Sequence, residues 1–154
     1  MLLKFKFTTD HTHSMTSAAD IPAKYRERLR AGQWFQGLTP LLQDLLLTHM
    51  TLRQLAAGQR LFARGDAADG LYCVAEGAIK LTGSARDGKE AILAIIEPPS
   101  WFGEIAAFDE LTRTHDAWAD EPTTLLHIPA ATLQHLLSEH PLLWHALGVL
   151  LSHK

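Results

Sequence analysis

The chain has one cysteine in 154 residues, Cys73. That scarcity excludes a disulfide framework and any zinc or iron–sulfur site built from several thiolates. Positive charge is not in excess either: 14 Lys and Arg stand against 17 Asp and Glu, for a formal net charge of -3. A broad surface for nucleic acid would need clustered cations and the opposite sign. No apolar run approaches the ~20 residues that cross a bilayer. The opening "MLLKFKFTTDHTHSM" interrupts its apolar residues with lysines and lacks a small-residue cleavage site, so it does not read as a secretory signal. Nucleophilic and nucleotide-hydrolysing motifs are missing as well, with no Gly-x-Ser-x-Gly elbow and no Walker-type glycine loop. No catalytic residue is therefore assigned.

Histidine is plentiful but dispersed. His11 and His13 lie in the leader, and His127 sits in what reads as an isolated strand. His135, His140 and His145 advance in steps of five, whereas ligands stacked on one helix face are three or four apart, and His153 lies further on. A cupin-like metal enzyme, which would need paired histidines inside a barrel, is accordingly the weaker rival, and no metal ligand is assigned.

What is present is the composition of one globular domain, 47% hydrophobic and 20% charged. The first fourteen residues look unlike the rest, with Met15 an alternative start, and residues 1–20 are read as a disordered or non-native leader. Residues 21–154 are read as one domain in three zones. From Ile21 to Met50 the pattern is helical: "PAKYRERLR" makes a solvated basic face, and in "LTPLLQDLLLTHM" Thr39 is the expected N-cap, Pro40 suits the first turn, and Leu41, Leu42, Leu45 and Leu46 form one apolar face. From about 51 to 128, glycines at 58, 65, 70, 77, 83 and 88 punctuate short runs: "RLFAR", "LYCVAE", "AIKLTGS", "EAILAII" and "TTLLHI". Turn glycines between short strands predict an antiparallel β-roll or jelly roll, mainly β with flanking helices. Cys73, inside "LYCVAE", reads as a buried small hydrophobe. From about 129 to 154 the chain is helical again, with Pro129 and Pro141 opening two helices. The last is apolar nearly all round, which predicts a partner and hence a homodimer through this helix.

The chemistry concentrates in "WFGEIAAFDELTRTHDAWA", residues 101–119. Gly103 lets backbone come close to a ligand, and the first N–H groups of the following turn, around Ile105, are donors suited to an anion. Arg113 offers a planar fork for phosphate, and Thr114 adds a hydroxyl. Glu104, ionised, only accepts hydrogen bonds, so its natural partners are hydroxyls. An anion site beside a hydroxyl acceptor fits a sugar phosphate. The other reading of the same residues is an internal Glu104–Arg113 ion pair closing a turn.

The chain resembles the cyclic-nucleotide-binding domains of the Crp/Fnr superfamily of bacterial regulators over roughly residues 33 to 154. The resemblance rests on "GQRLFARGDAADGLYCVAEGAIKL", which is similar to the family's first glycine motif, and on "FGEIAAF" followed by "RT", which is similar to its phosphate-binding cassette. It implies that Glu104 binds the ribose 2′-hydroxyl, that Arg113 pairs with the cyclic phosphate with Thr114 in support, and that backbone around Gly103 and Ile105 completes the pocket. It further implies a cytoplasmic sensor whose effector is a cyclic nucleotide, cyclic AMP in the first instance, with no other cofactor. Ligand would shift the terminal dimerisation helices, and DNA would be met only through a helix-turn-helix domain absent from this chain. A dimerisation or interaction module that binds no nucleotide is the alternative. Two positions depart from the family pattern: Ala107 stands where a larger aliphatic is usual, and His115 replaces the small residue after the Arg-Thr pair. His115 either points outward, or blocks the site, or adds a titrating donor to the phosphate.

Overall fold

The computed structural model describes residues 21–154, so the expectations for the leader and for Met15 lie outside the described residues. Three helices come first: α1 (Ala23–Arg30), α2 (Gln33–Gln36) and α3 (Pro40–His49). The eight strands among the described residues are β1 (Thr51–Leu55), β2 (Arg60–Phe62), β3 (Gly70–Glu76), β4 (Ile79–Ser84), β5 (Glu90–Ile96), β6 (Trp101–Phe102), β7 (Asp116–Ala119) and β8 (Thr123–Pro129). The short α4 (Ile105–Asp109) lies between β6 and β7, and α5 (Ala130–Glu139) and α6 (Leu142–Ser152) follow β8. Two four-stranded antiparallel sheets result, in the orders β1-β8-β3-β6 and β2-β7-β4-β5. The expected mainly-β roll with flanking helices is what the chain builds.

Strand β3 explains why its sequence is apolar throughout. Side chains alternate between the faces of a strand, and here both faces are covered. Leu71, Cys73 and Ala75 join the core that the helices press onto the first sheet, while Tyr72 and Val74 join the core between the two sheets. Burial raises the Cys73 thiol well above its ordinary value, which keeps it an inert hydrophobe as read. Gly77 turns the chain into β4 at φ +86, and a Cβ there would fall 2.4 Å from Pro122 O, so the position needs glycine on both counts.

Several local readings change. Thr39 does cap α3, its hydroxyl accepting from Leu42 N at 3.3 Å, but Leu41 is 59% exposed and Leu47 takes its place in the core beside Leu42 and Leu46. Gly83 is not a turn glycine; it lies inside β4. The basic helix α1 is more than a solvated face, since Arg28 Nη1 donates to Ala75 O at 2.7 Å and ties it to β3. His127 is not in an isolated strand: β8 runs between β1 and β3. α6 buries Leu143, Ala146, Leu147 and Leu150 within the chain and leaves Leu142 exposed. No helix among the described residues is long and apolar enough to cross a membrane.

Candidate ligand-binding site

The two sequence motifs meet in space through their backbones. Gly65 N donates to Arg113 O at 2.8 Å, and Arg113 N donates to Asp66 O at 2.8 Å. The loop after β2 and the Arg-Thr step thus hold each other by a reciprocal pair of hydrogen bonds. The Asp66 carboxylate closes its own turn on Ala63 N at 2.8 Å, and Asp116 receives Arg64 N at 2.7 Å.

That clasp aims the Arg113 side chain inward. Its guanidinium lies 4.3 Å from the centroid of the Phe62 ring and is only 7% exposed. One nitrogen, Nη2, makes both of its side-chain hydrogen bonds among the described residues, to Asp69 Oδ1 at 2.7 Å and to Gly70 O at 3.0 Å. Nε is buried without an acceptor. Gly103, at φ +97, packs against the same group: a Cβ there would fall 3.2 Å from Arg113 Nη1 and 2.7 Å from Gly70 O. Gly103 and Arg113, ten residues apart in sequence, are therefore adjacent, and only a residue without a side chain allows it.

Glu104 is not Arg113's partner. Its carboxylate, 2% exposed, is bound by Lys154 Nζ at 2.8 Å, and the same ammonium donates to Trp101 O. The internal Glu104–Arg113 pair is thus replaced by two separate pairs, one held within the roll and one reaching the end of α6. Ile105 begins α4 and exposes its side chain, while the small side chain of Ala107 lets that turn lie close, 7% exposed, on the core. Thr114 is exposed and shares a hydrogen bond of 2.9 Å with His115 Nδ1. The His115 ring lies across β4, where a Cβ added to Gly83 would come within 3.6 Å of its Cδ2 and 3.0 Å of Leu93 Cδ1.

Around Arg113 stands a polar cluster that sequence reasoning did not name. Asp69 also accepts from the Tyr72 hydroxyl, and Arg53 lies 3.9 Å from it while donating to Tyr72 at 3.2 Å. His127 stacks on Tyr72 with ring centroids 4.2 Å apart and bonds Asp69 O through Nε2 at 2.8 Å. Burial pushes the Asp69 carboxyl upward, but the hydrogen bonds from Tyr72 and Arg113 outweigh it and hold it below the ordinary carboxylate value. Burial also drives Tyr72 far above its usual range and His127 below its own, so the phenol stays a donor and the imidazole stays neutral near neutral pH. Two guanidiniums against one carboxylate leave this cluster one positive charge. The signal that could have revealed it was the second aspartate of "GDAADGLY", placed immediately before a strand.

Comparison with known proteins gives this geometry its context. Residues 52–140 match the model of the cyclic nucleotide-binding domain. The chain is 33% identical to the cyclic AMP receptor protein of Thermus thermophilus over 82% of its own length and 58% of that protein's. It is 34% identical to the crystal structure of the N-terminal domain of a transcriptional regulator from Streptomyces coelicolor, with a TM-score of 0.69, covering 81% of this chain and 89% of that one. A lysophospholipase of Neurospora crassa is 32% identical over 68% of this chain, but over only 7% of the enzyme. The chain therefore spans little more than half of its receptor relative and a small part of the lipase. By the family model and by these identities, the chain belongs to the cyclic nucleotide-binding domain family.

Proposed function

We propose that this domain senses a cyclic nucleotide, cyclic AMP in the first instance, as the effector-binding part of a Crp-like transcription regulator. The observation that carries the reading is Arg113: a nearly buried guanidinium spends one nitrogen on protein and leaves Nε without an acceptor beside the bare backbone of Gly103. Unsatisfied buried donors are costly, and an anion would satisfy them. The single surplus positive charge of the surrounding cluster matches a monoanionic cyclic diester better than an open, dianionic monophosphate. Glu104, two-oxygened and acceptor-only, would take the ribose hydroxyl, with Thr114 supporting the phosphate and backbone at Gly103 and Ile105 completing the cradle.

The Glu104–Lys154 pair supplies a route from site to helix. A ribose hydroxyl at Glu104 would compete with the ammonium at the end of α6, so ligand would bind one arrangement of that helix more tightly than another. Dimerisation through α6, action in the cytoplasm and DNA contact through a further domain complete the proposal. One observation favours the non-binding module instead: both site charges already have partners. Isothermal calorimetry with cyclic AMP and cyclic GMP decides between the two. Heat of binding with at least one of them, weakened by Arg113→Ala, supports the sensor, and the absence of heat and of any thermal shift for both removes it.

A further inference from the structure

The histidine that departs from the family pattern neither points away from the fold nor stands alone. Its Nδ1 meets Thr114 Oγ1 at 2.9 Å, and its ring rests over Gly83 next to Leu93. Thr114 directly follows Arg113, and the cyclic-nucleotide reading has its hydroxyl support the bound phosphate. We infer that His115 is a positioning residue that sets the polarity of the Thr114 hydroxyl toward the bound phosphate. The inference rests on the cyclic-nucleotide reading.

The argument is one of hydrogen-bond direction. A threonine hydroxyl has one hydrogen to give. When Nδ1 carries a proton, the ring donates to Oγ1 and the hydroxyl hydrogen is left for the phosphate. When Nδ1 is bare, Thr114 donates to the ring, and what faces the phosphate is a lone pair. The first state attracts an anion and the second repels it. Imidazolium always has the Nδ1 proton, whereas the neutral ring has two tautomers, so affinity falls as pH rises. The strands under the ring carry one ionisable side chain each, Lys80 on β4 and Glu90 on β5. Its own segment adds Arg113 and Asp116, and the latter is engaged by Arg64 N.

The test is the pH profile of cyclic AMP affinity, measured by calorimetry between about pH 5.5 and 8, in the wild type, His115→Ala and His115→Asn. Adding Thr114→Val to each completes a double-mutant cycle. An asparagine amide can donate from near the Nδ1 position at every pH. Expected is a wild-type affinity that drops about threefold to tenfold across the range, the net worth of one hydrogen bond. Asn should hold the low-pH affinity with a flat profile, Ala, which leaves the hydroxyl hydrogen unclaimed but unpositioned, should be flat and lie between the wild-type extremes, and neither should differ from wild type once Thr114 is Val. His127→Gln serves as the control for the other histidine near Arg113. A wild-type slope that persists in His115→Ala, or equal affinities for Asn and Ala, overturns this inference alone. No binding by the wild type at any pH overturns the sensor reading and this inference with it.

Discussion

The Arg113 half and the Glu104 half of the cassette are both buried charges, yet they are secured in opposite ways. Arg113 is fixed inside the roll by a carboxylate, a carbonyl, an aromatic face and two backbone hydrogen bonds, all from the β2–β3 region. Glu104 depends on a lysine that is itself 39% exposed and lies beyond the last turn of α6. One end of the site belongs to the rigid sheet and the other to a terminal helix. A ligand long enough to touch both would report on their relation, and that is the physical meaning the proposed sensing would have.

The comparison breaks most clearly at Arg113. Arg113→Ala removes a charged hydrogen-bond donor from the phosphate position, and cyclic-nucleotide affinity should fall by ~1.5–3 kcal/mol in calorimetry. Glu104→Gln keeps the shape but weakens the acceptor, and the loss should be smaller, about 1 kcal/mol. If the two losses are equal, the contrast between the halves is wrong.

Acidification attacks the sheet half. His127 has its folded-state value depressed by burial, so the unfolded chain takes up a proton first, and stability present above the unfolded value of ~6.5 is lost as pH falls below it. Asp69 is depressed as well, and its contribution, present above about 4, is lost further down. Thermal melts should therefore drop between about pH 7.5 and 5.5, with a smaller drop in His127→Gln, and Asp69→Asn should flatten the profile only below about pH 4. The smallest effect belongs to Lys154→Gln. Only the lysine end of that pair is exposed, and the glutamine amide can still donate to the buried Glu104 carboxylate, so global stability should fall by about 1 kcal/mol, while amide exchange in the last turn of α6 should quicken and that of β3 should not.

Much of this was legible in the sequence because it depends on local rules. Turn glycines, the prolines that open α5 and α6, the Thr39 cap and the order of the two motifs are short-range signals. The strands that went unnamed, β1, β6 and β7, were those whose pattern is weak: β1 buries only Leu52 and Leu55, three apart rather than two. β7 buries Ala117 and Ala119, side chains too small to mark a periodicity, and β6 is two residues long after a pair of prolines. The run "EAILAII" misled in another way: a continuous apolar strand promises two covered faces, yet β5 is an edge strand with Ile92 63% and Leu93 53% exposed. In the site, Gly103, Glu104 and Arg113 could be picked out by their chemistry, but Asp69 and Lys154 could not be matched to them. They lie 44 and 50 residues away from the charges they hold, and no periodicity encodes a contact across such a distance.

The first sheet carries one more consequence, for the time the chain needs to fold. β1 and β8 lie at opposite ends of the roll's sequence, with Thr51 paired to His127, and β3 also waits for β8 before its second edge is filled. Closing loops of that length costs entropy before any ladder bond offsets it. The roll is thus expected to close late and slowly, on the millisecond-to-second scale of β-rich domains, with β8 as the strand whose arrival makes the site possible at all.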